Sequence, residues 1–252
     1  MAWFEHNGGQ IYYEEQGVGE PVLLLPGWGG SIDEFSGLRD ALAVSYRVIA
    51  ADLPGSGKSA PQPRHYTETY LQDDAQAFLG LLAGLTAGPT HLMGFSDGGE
   101  DALLMAALQP ESARSIVTWG AAGHLIEPPG MLDAFYDLVD NPKPQLAEFA
   151  DYLKASYGEA NARIMTQTEA AALRTIIQAG GDISLSRAGK IGCQALLITG
   201  EHDFLAPPEA VLEMAQAIAG GRFLLASNAG HDVHNDCSDW LVGTILDWLA
   251  KA

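Results

Sequence analysis

Runs of consecutive apolar residues recur along the chain, and segments whose apolar residues have helical spacing separate them. Strands are predicted at residues 22–25, 46–51, 113–119, 195–200 and 222–226, and in the run that ends at Gly94. Fully apolar strands are typical of a parallel sheet that is covered on both faces. The helical spacing predicts helices at residues 33–42, 66–85, 101–108, 207–219 and 240–249.

The amino-terminal residues follow another pattern. Residues 2–6 and 10–15 read as two strands joined by an Asn-Gly-Gly turn, which predicts a hairpin. After this hairpin, strands alternate with helices. The alternation predicts an α/β fold with a mostly parallel, doubly wound sheet, whose functional groups lie at the carboxyl ends of the strands.

The alternation stops between residues 121 and 189. Apolar residues there recur at helical spacing, as at Leu132, Phe135 and Val139, and no buried strand is predicted. Proline pairs and the Gly-Gly step at 180–181 punctuate the segment. We therefore predict a helical insertion between two strands of the sheet.

Length and composition favour one globular domain that covers residues 1–252. The chain has 252 residues, 47% of them hydrophobic, and none of its apolar runs reaches the roughly 18 residues of a membrane span. The start of the chain lacks the basic and apolar regions of a signal peptide. The two cysteines have no metal-ligand spacing and fit free thiols in a reducing compartment, so we expect a cytoplasmic protein.

The charge balance is strongly acidic, with 32 acidic against 13 basic residues and a formal net charge of −19. This balance argues against nucleic acid and anionic membranes as partners. It disfavours anionic substrates and favours cationic ones, although solubility alone also explains it.

The segment G-F-S-D-G at residues 94–98 joins a predicted strand to a predicted helix. In that context G-x-S-x-G is typical of a nucleophile elbow, a strained turn that exposes a serine hydroxyl at the start of a helix. The pattern predicts Ser96 as a nucleophile. Glycines at positions 94 and 98 are then required because strand and helix pack too closely for side chains.

A nucleophilic serine needs a base, and the base needs an orienting acid. His231 follows the last predicted strand and therefore lies at the same edge of the sheet as Ser96. Asp203 follows the preceding strand, with Glu201 as a less favourable rival. The order Ser96, Asp203, His231 is the one expected for this type of elbow.

An oxyanion hole requires two backbone N–H groups that point at the developing charge. Asp97 follows the nucleophile and supplies one. We assign the other to Trp28, in the glycine-rich loop that follows the strand at 22–25. The Trp28 ring is also expected to wall the substrate pocket, with core packing as its alternative.

The chain resembles the α/β-hydrolase family over essentially its whole length. The motifs that carry the resemblance are P-G-W-G-G at 26–30, D-L-P-G-S-G-K-S at 52–59, G-F-S-D-G-G at 94–99, G-E-H-D at 200–203 and G-H at 230–231. The resemblance implies an α/β-hydrolase fold: a mostly parallel eight-stranded sheet flanked by helices, with a helical cap at about 121–189.

The resemblance also implies roles in substrate binding. In family members that cleave amino-acid esters, an acid beside the nucleophile receives the α-amino group, and this role is carried over to Asp97. The alternative is that the Asp97 carboxylate only stabilises the first turn of its helix. His234 is expected to line the substrate site or to support its loop.

These residues predict a serine hydrolase that cleaves small carboxylic esters, with amino-acid esters among the candidates, through an acyl-enzyme. No metal or organic cofactor is expected, and the protein is expected to be a monomer or a small homo-oligomer. C–C bond hydrolases, enol-lactonases and cofactor-free perhydrolases share the same catalytic residues and stay open as alternatives. A ligand receptor with little turnover is the alternative of another class.

Overall fold

The structure is a computed structural model that describes residues 1–251. Eight strands within these residues form one sheet: β1 (Ala2–His6), β2 (Gly9–Gln16), β3 (Glu20–Leu25), β4 (Tyr46–Ala51), β5 (Thr90–Phe95), β6 (Ala113–Trp119), β7 (Gln194–Gly200) and β8 (Gly221–Ala226). Their order across the sheet is β1-β2-β4-β3-β5-β6-β7-β8. The pairs β1–β2 and β2–β4 are antiparallel, and the remaining neighbours are parallel. The predicted mostly parallel sheet with an amino-terminal hairpin is confirmed.

Helices cover both faces of the sheet. They are α1 (Ser36–Ala43), α2 (Tyr70–Leu85), α3 (Asp97–Leu108), α4 (Met131–Tyr136), α5 (Ala147–Tyr157), α6 (Glu159–Gln178), α7 (Pro208–Ala217), α8 (Val233–Asp236) and α9 (Ser238–Leu249). Side chains alternate across each strand, so Val22 and Leu24 of β3 join an apolar cluster with α1 and α9. Leu23 and Leu25 join the cluster on the opposite face, with α2, α3 and α7.

The largest differences between predicted and observed helix starts are those of α2 and α3. α3 starts directly after the elbow, at Asp97. α2 starts at Tyr70 rather than at Tyr66. The Tyr66 N–H group donates to Thr168 Oγ1 on α6 at 3.4 Å, and its ring packs against Trp28 with 6.0 Å between ring centroids. Tertiary contacts therefore hold Tyr66 outside the helix, and the local pattern contains no sign of them.

The chain between β6 and β7, residues 120–193, is the helical insertion. It contains α4, α5 and α6, which confirms the predicted change from strands to helices. Gly158 has a φ of +77° and separates α5 from α6, since a left-handed residue ends a helix. Within α6, the helical spacing of Leu173, Ile176 and Ile177 predicts only the last turns of the helix. Within residues 1–251, the helices fall short of the length and apolar character needed to cross a membrane.

Candidate active site

The turn between β5 and α3 holds Ser96 in a strained backbone conformation. Ser96 has φ 51° and ψ −121°, a region that residues with a side chain rarely adopt. A Cβ atom at Gly94 would lie 2.0 Å from the Gly98 carbonyl oxygen, and one at Gly98 would lie 2.3 Å from the Pro26 carbonyl oxygen. The elbow therefore requires glycine at both positions, as the sequence predicts.

Ser96, His231 and Asp203 lie within hydrogen-bond distance of one another, in that order. His231 Nε2 is 3.0 Å from Ser96 Oγ, and His231 Nδ1 is 2.9 Å from Asp203 Oδ2. Ser96 directly follows β5, whereas Asp203 lies on the loop after β7 and His231 on the loop after β8. The sheet thus brings together three side chains that are far apart along the chain.

The loop after β7 fixes Asp203, which is only 3% exposed. Its Oδ1 accepts backbone hydrogen bonds from Leu205 and Ala206, both at 2.9 Å. These bonds leave Oδ2 to face the imidazole. The rival Glu201 is exposed, and its carboxylate instead accepts the Asn228 N–H at 3.0 Å.

The loop after β3 passes close to Ser96. A Cβ atom on Gly27 would lie 2.8 Å from the Phe95 ring and 3.3 Å from Ser96 Cβ, so glycine allows this close approach. The Trp28 N–H group donates to no acceptor within residues 1–251. The Asp97 N–H group opens α3, where the first N–H groups have no intrahelical partner. The two N–H groups that are predicted to bind the oxyanion, those of Trp28 and Asp97, therefore make no hydrogen bond within a helix. They lie on the two segments that flank Ser96.

Tyr157 at the end of α5 ties the insertion to this loop. Its hydroxyl donates to the Gly29 carbonyl oxygen at 2.9 Å and accepts the Gly57 N–H at 2.8 Å. The Trp28 ring, 9% exposed, packs against Phe135 of the insertion with 4.9 Å between centroids. The Trp28 ring thus makes the contacts expected for core packing, which is its alternative role. That the ring also forms a wall of the substrate pocket stays a prediction.

The Asp97 carboxylate contacts α2. Its Oδ2 accepts a hydrogen bond of 2.9 Å from the Tyr70 hydroxyl, and Oδ1 has no hydrogen-bond partner in the described chain. Burial raises the pKa of Asp97 to about 6, yet the residue keeps a partly accessible surface. The residue that follows Ser96 therefore has a carboxylate oxygen without a hydrogen-bond partner within residues 1–251.

His234 occupies another place than the substrate side of Ser96. It is 9% exposed, its Nδ1 accepts the Trp119 Nε1–H at 3.2 Å, and its ring packs edge-on against Phe95 at 4.6 Å and Phe35 at 5.0 Å. Burial lowers its pKa to about 4, so the ring stays neutral. These contacts support the elbow from the core and do not support the expected substrate-binding role.

Glu100 is a site residue that the sequence analysis does not single out for a role. It is 6% exposed, and its Oε1 accepts the N–H groups of Ala122 and Gly123 at 2.8 and 2.9 Å. Burial raises the pKa of Glu100 to about 7. The first turn of α3 thereby holds the point where the insertion leaves the sheet.

Tyr70, Tyr157 and Glu169 are also missed by sequence reasoning. Each lies on a helix whose apolar spacing marks it only as an inward position, and each meets its partner far along the chain. Of the three, Glu169 has the clearest sequence signal of a functional role, because an acid on the inward face of a helix is unusual. Within residues 1–251, no three His, Cys, Asp or Glu side chains form a group suited to a metal ion.

Comparison with known proteins agrees with this architecture. The sequence model described as alpha/beta hydrolase fold matches residues 20–176, and one described as TAP-like protein matches residues 177–249. The human serine hydrolase BPHL is 28% identical over 232 residues, which cover 90% of this chain and 79% of that protein. The pimeloyl-[acyl-carrier protein] methyl ester esterase of Chromobacterium violaceum is 27% identical over 237 residues, which cover 86% of this chain and 85% of the esterase.

Solved structures show the same fold. The enol-lactonase from Burkholderia xenovorans LB400 matches with a TM-score of 0.79 at 24% identity, covering 99% of this chain and 100% of the lactonase chain. BPHL is the biphenyl hydrolase-like protein, and G-F-S-D-G-G at 94–99, I-V-T-W-G-A at 116–121 and the spacing of His231 and His234 predict a resemblance to it, which the match confirms. The chain belongs to the alpha/beta hydrolase fold family.

Proposed function

We propose that the protein is a serine hydrolase that cleaves small carboxylic esters through an acyl-enzyme. The observation that carries the proposal is the continuous relay from Asp203 through His231 to Ser96, with contacts of 2.9 and 3.0 Å. A base and an orienting acid within this reach turn a weak hydroxyl into a nucleophile. The likeness to the named esterase and serine hydrolase supports the same reaction class.

In the first half-reaction, Ser96 Oγ attacks the ester carbonyl carbon and His231 Nε2 takes the hydroxyl proton. Asp203 accepts the Nδ1–H hydrogen bond, which keeps the Nε2 lone pair directed at Ser96 and stabilises the imidazolium. The carbonyl oxygen becomes an anion beside the Trp28 and Asp97 N–H groups. The intermediate then collapses, and the alcohol leaves with the proton from His231.

In the second half-reaction, water attacks the acyl group on Ser96 and gives a proton to His231. The new tetrahedral intermediate uses the same two N–H donors. Its collapse releases the carboxylic acid and returns the proton to Ser96 Oγ. Removing one oxyanion donor typically costs about 3 kcal/mol of transition-state stabilisation, so the Trp28 loop has to stay in place throughout both steps.

The test is covalent labelling followed by pre-steady-state kinetics. A fluorophosphonate probe should label Ser96 stoichiometrically, as located by peptide mass spectrometry, and p-nitrophenyl acetate should give a burst of p-nitrophenol. Ser96→Ala should abolish both signals. Asp203→Asn should lower kcat by about 10⁴-fold, whereas Glu201→Gln is the matched control with unchanged kcat.

Stoichiometric binding of esters without labelling or turnover would instead identify a ligand receptor and refute the proposal. Acceptance of C–C bonds or enol-lactones in preference to esters would move the protein to one of the alternative hydrolase classes. A panel of aryl, aliphatic and amino-acid esters distinguishes these outcomes.

We further propose that the preferred esters carry a cationic amine near the scissile carbonyl. The support is the free Oδ1 of Asp97, one residue from the nucleophile, together with the acidic balance of the chain. The test compares kcat/KM for an α-amino ester and its des-amino analogue in the native protein and in Asp97→Asn. A preference that is absent, or that survives the substitution, would disprove this assignment.

A further inference from the structure

Three oxygen atoms from three different helices form a row behind the nucleophile. The Tyr70 hydroxyl on α2 lies 2.9 Å from Asp97 Oδ2 on α3. The same hydroxyl lies 3.3 Å from Glu169 Oε1 on α6, a helix of the insertion. We call Asp97, Tyr70 and Glu169 the carboxyl–phenol unit. It connects the residue beside Ser96 to a carboxyl group that the insertion supplies.

The contacts of the Tyr70 hydroxyl limit the number of charges in this unit. A phenol carries one proton and can donate it to one of its two carboxyl neighbours. Asp97 is the closer neighbour. The Glu169 contact is then a hydrogen bond only if Glu169 itself carries a proton and donates it to the phenol oxygen. The geometry therefore favours a neutral Glu169 and a single negative charge, on Asp97.

The surroundings make a second charge costly. Tyr70 and Glu169 are each 2% exposed. The charged and titratable groups around the unit are Asp74 on α2, Arg64 and Tyr66 on the segment before it, Glu100 and Asp101 on α3, and His231. Arg64 is the permanent cation of this set, and two hydrogen bonds of 2.6 Å commit it to Asp74. The unit thus lacks a cation of its own.

Two carboxyl oxygens of the unit have no hydrogen-bond partner among the described residues. Glu169 Oε2 is buried and accepts no hydrogen bond in the described chain. Asp97, the residue after Ser96, is partly accessible, and its Oδ1 likewise has no hydrogen-bond partner within residues 1–251. A buried carboxyl oxygen without a donor is costly to ionise, whereas an ammonium group can pair with the carboxylate of the partly accessible Asp97.

We propose that the carboxyl–phenol unit exchanges a proton for the ammonium group of the substrate. The ammonium binds at Asp97 Oδ1, Glu169 ionises in response, and its proton leaves to solvent. Glu169 is in this view a positioning residue that acts through Tyr70 and sets the charge of the subsite. The inference rests on the proposed preference for amine-bearing esters and adds a proton-linked residue from the insertion.

The electrostatic environment of Glu169 shifts its pKa in the direction that the proposal requires. Burial, and after it the charge of Asp97, raise the pKa of Glu169 well above its usual range, which is the direction of the neutral Glu169 that the hydrogen-bond geometry favours. A cation bound at Asp97 lowers that pKa, because an opposite charge nearby favours the ionised carboxylate. Ligand binding that changes a pKa across the working pH must release protons.

The experiment is calorimetric titration at neutral pH with L-valinol, an amino alcohol that cannot be hydrolysed. The binding enthalpy is measured in two buffers with different ionisation enthalpies, which gives the number of protons released. We expect about 0.5–1 proton per bound valinol in the native protein. Its ammonium pKa lies far above neutral, so the ligand itself contributes none. The neutral analogue 3-methylbutan-1-ol should release no protons.

Variants assign the proton to its residue. Glu169→Gln keeps a donor for Tyr70 but has no proton to lose, so it should bind valinol and release fewer than about 0.2 protons. Glu148→Gln is the matched control, since Glu148 is an exposed acid of the insertion, and it should behave like the native protein. Asp97→Asn should lose valinol binding.

Three results would overturn the inference: valinol binding without proton release, equal release in Glu169→Gln, or no valinol binding at all. Each is separable from failure of the proposed function. Ser96 labelling and turnover of p-nitrophenyl acetate test that function without any amine. A protein that passes those tests and fails the calorimetric one is an esterase whose unit only holds the insertion in place.

Discussion

Removing the hydroxyl of Tyr157 tests how the insertion supports the loop next to Ser96. Tyr157→Phe removes one oxygen atom and keeps the ring, which is 7% exposed. The Gly29 carbonyl and the Gly57 N–H then lose bonds of 2.9 and 2.8 Å. Two such bonds contribute about 1 kcal/mol each. We therefore expect the free energy of unfolding to fall by about 2 kcal/mol.

The same substitution should slow catalysis because Gly29 adjoins the proposed oxyanion donor. Complete loss of that donor would cost about 3 kcal/mol. The loop keeps its Gly30 N–H to Gly27 turn at 3.1 Å and the packing of the Trp28 ring, so we expect partial displacement. A loss of about 1.4 kcal/mol corresponds to a tenfold lower kcat, with KM nearly unchanged since the donor acts in the transition state.

Urea unfolding and p-nitrophenyl acetate kinetics measure the two effects. Tyr152→Phe is the matched control, because Tyr152 lies on the same helix and its hydroxyl makes only a 3.5 Å contact with Glu34. It should change neither quantity. A Tyr157→Phe protein with control-like stability and kcat would refute the claim that α5 anchors this loop.

Further predictions concern burial, close approach and titration. The pKa of Glu100 is raised from 4.5 to about 7, so ionisation costs stability above that pH and nothing below about pH 4. The free energy of unfolding of Glu100→Gln, measured by urea titration, should exceed that of the native protein by up to about 3 kcal/mol at high pH. At low pH the two values should be equal. Gly27→Ala should lower kcat and cost about 1–3 kcal/mol of unfolding free energy, because its Cβ would lie 2.8 Å from the Phe95 ring; Gly37→Ala, with open space around it, is the control. The kcat/KM ratio of α-amino to des-amino esters should fall as the pH drops through about 6, the pKa of Asp97, and a ratio that stays constant would contradict a charged Asp97.

The fold and the catalytic candidates are readable from the sequence because they depend on local signals. Apolar strands, turn glycines and the G-x-S-x-G segment each report a backbone requirement within a few residues. The Gly94 and Gly98 contacts, at 2.0 and 2.3 Å, show how strict that requirement is. Ser96, Asp203 and His231 follow strands whose carboxyl ends share an edge, so the predicted topology places them together before any distance is known.

Local sequence patterns do not predict the positions of side chains whose neighbours come from remote elements. The sequence leaves open whether His234 lines the substrate site or supports its loop, and the structure places it in the core beside Trp119 and Phe35. Tyr66 continues a helical pattern, but Thr168 and Trp28 draw it out of the helix. In both cases the deciding contacts join residues that no local pattern connects.

The sequence by itself determined the α/β class, the helical insertion and the elbow glycines, since hydrophobic periodicity and steric clashes act over short stretches of chain. Only the tertiary structure decided the partners of Asp97, the anchoring of the Gly29 carbonyl by Tyr157 and the burial of Glu100 and Glu169. Hydrogen bonds and desolvation depend on which remote groups meet in space. The substrate preference proposed for this hydrolase depends on those encounters.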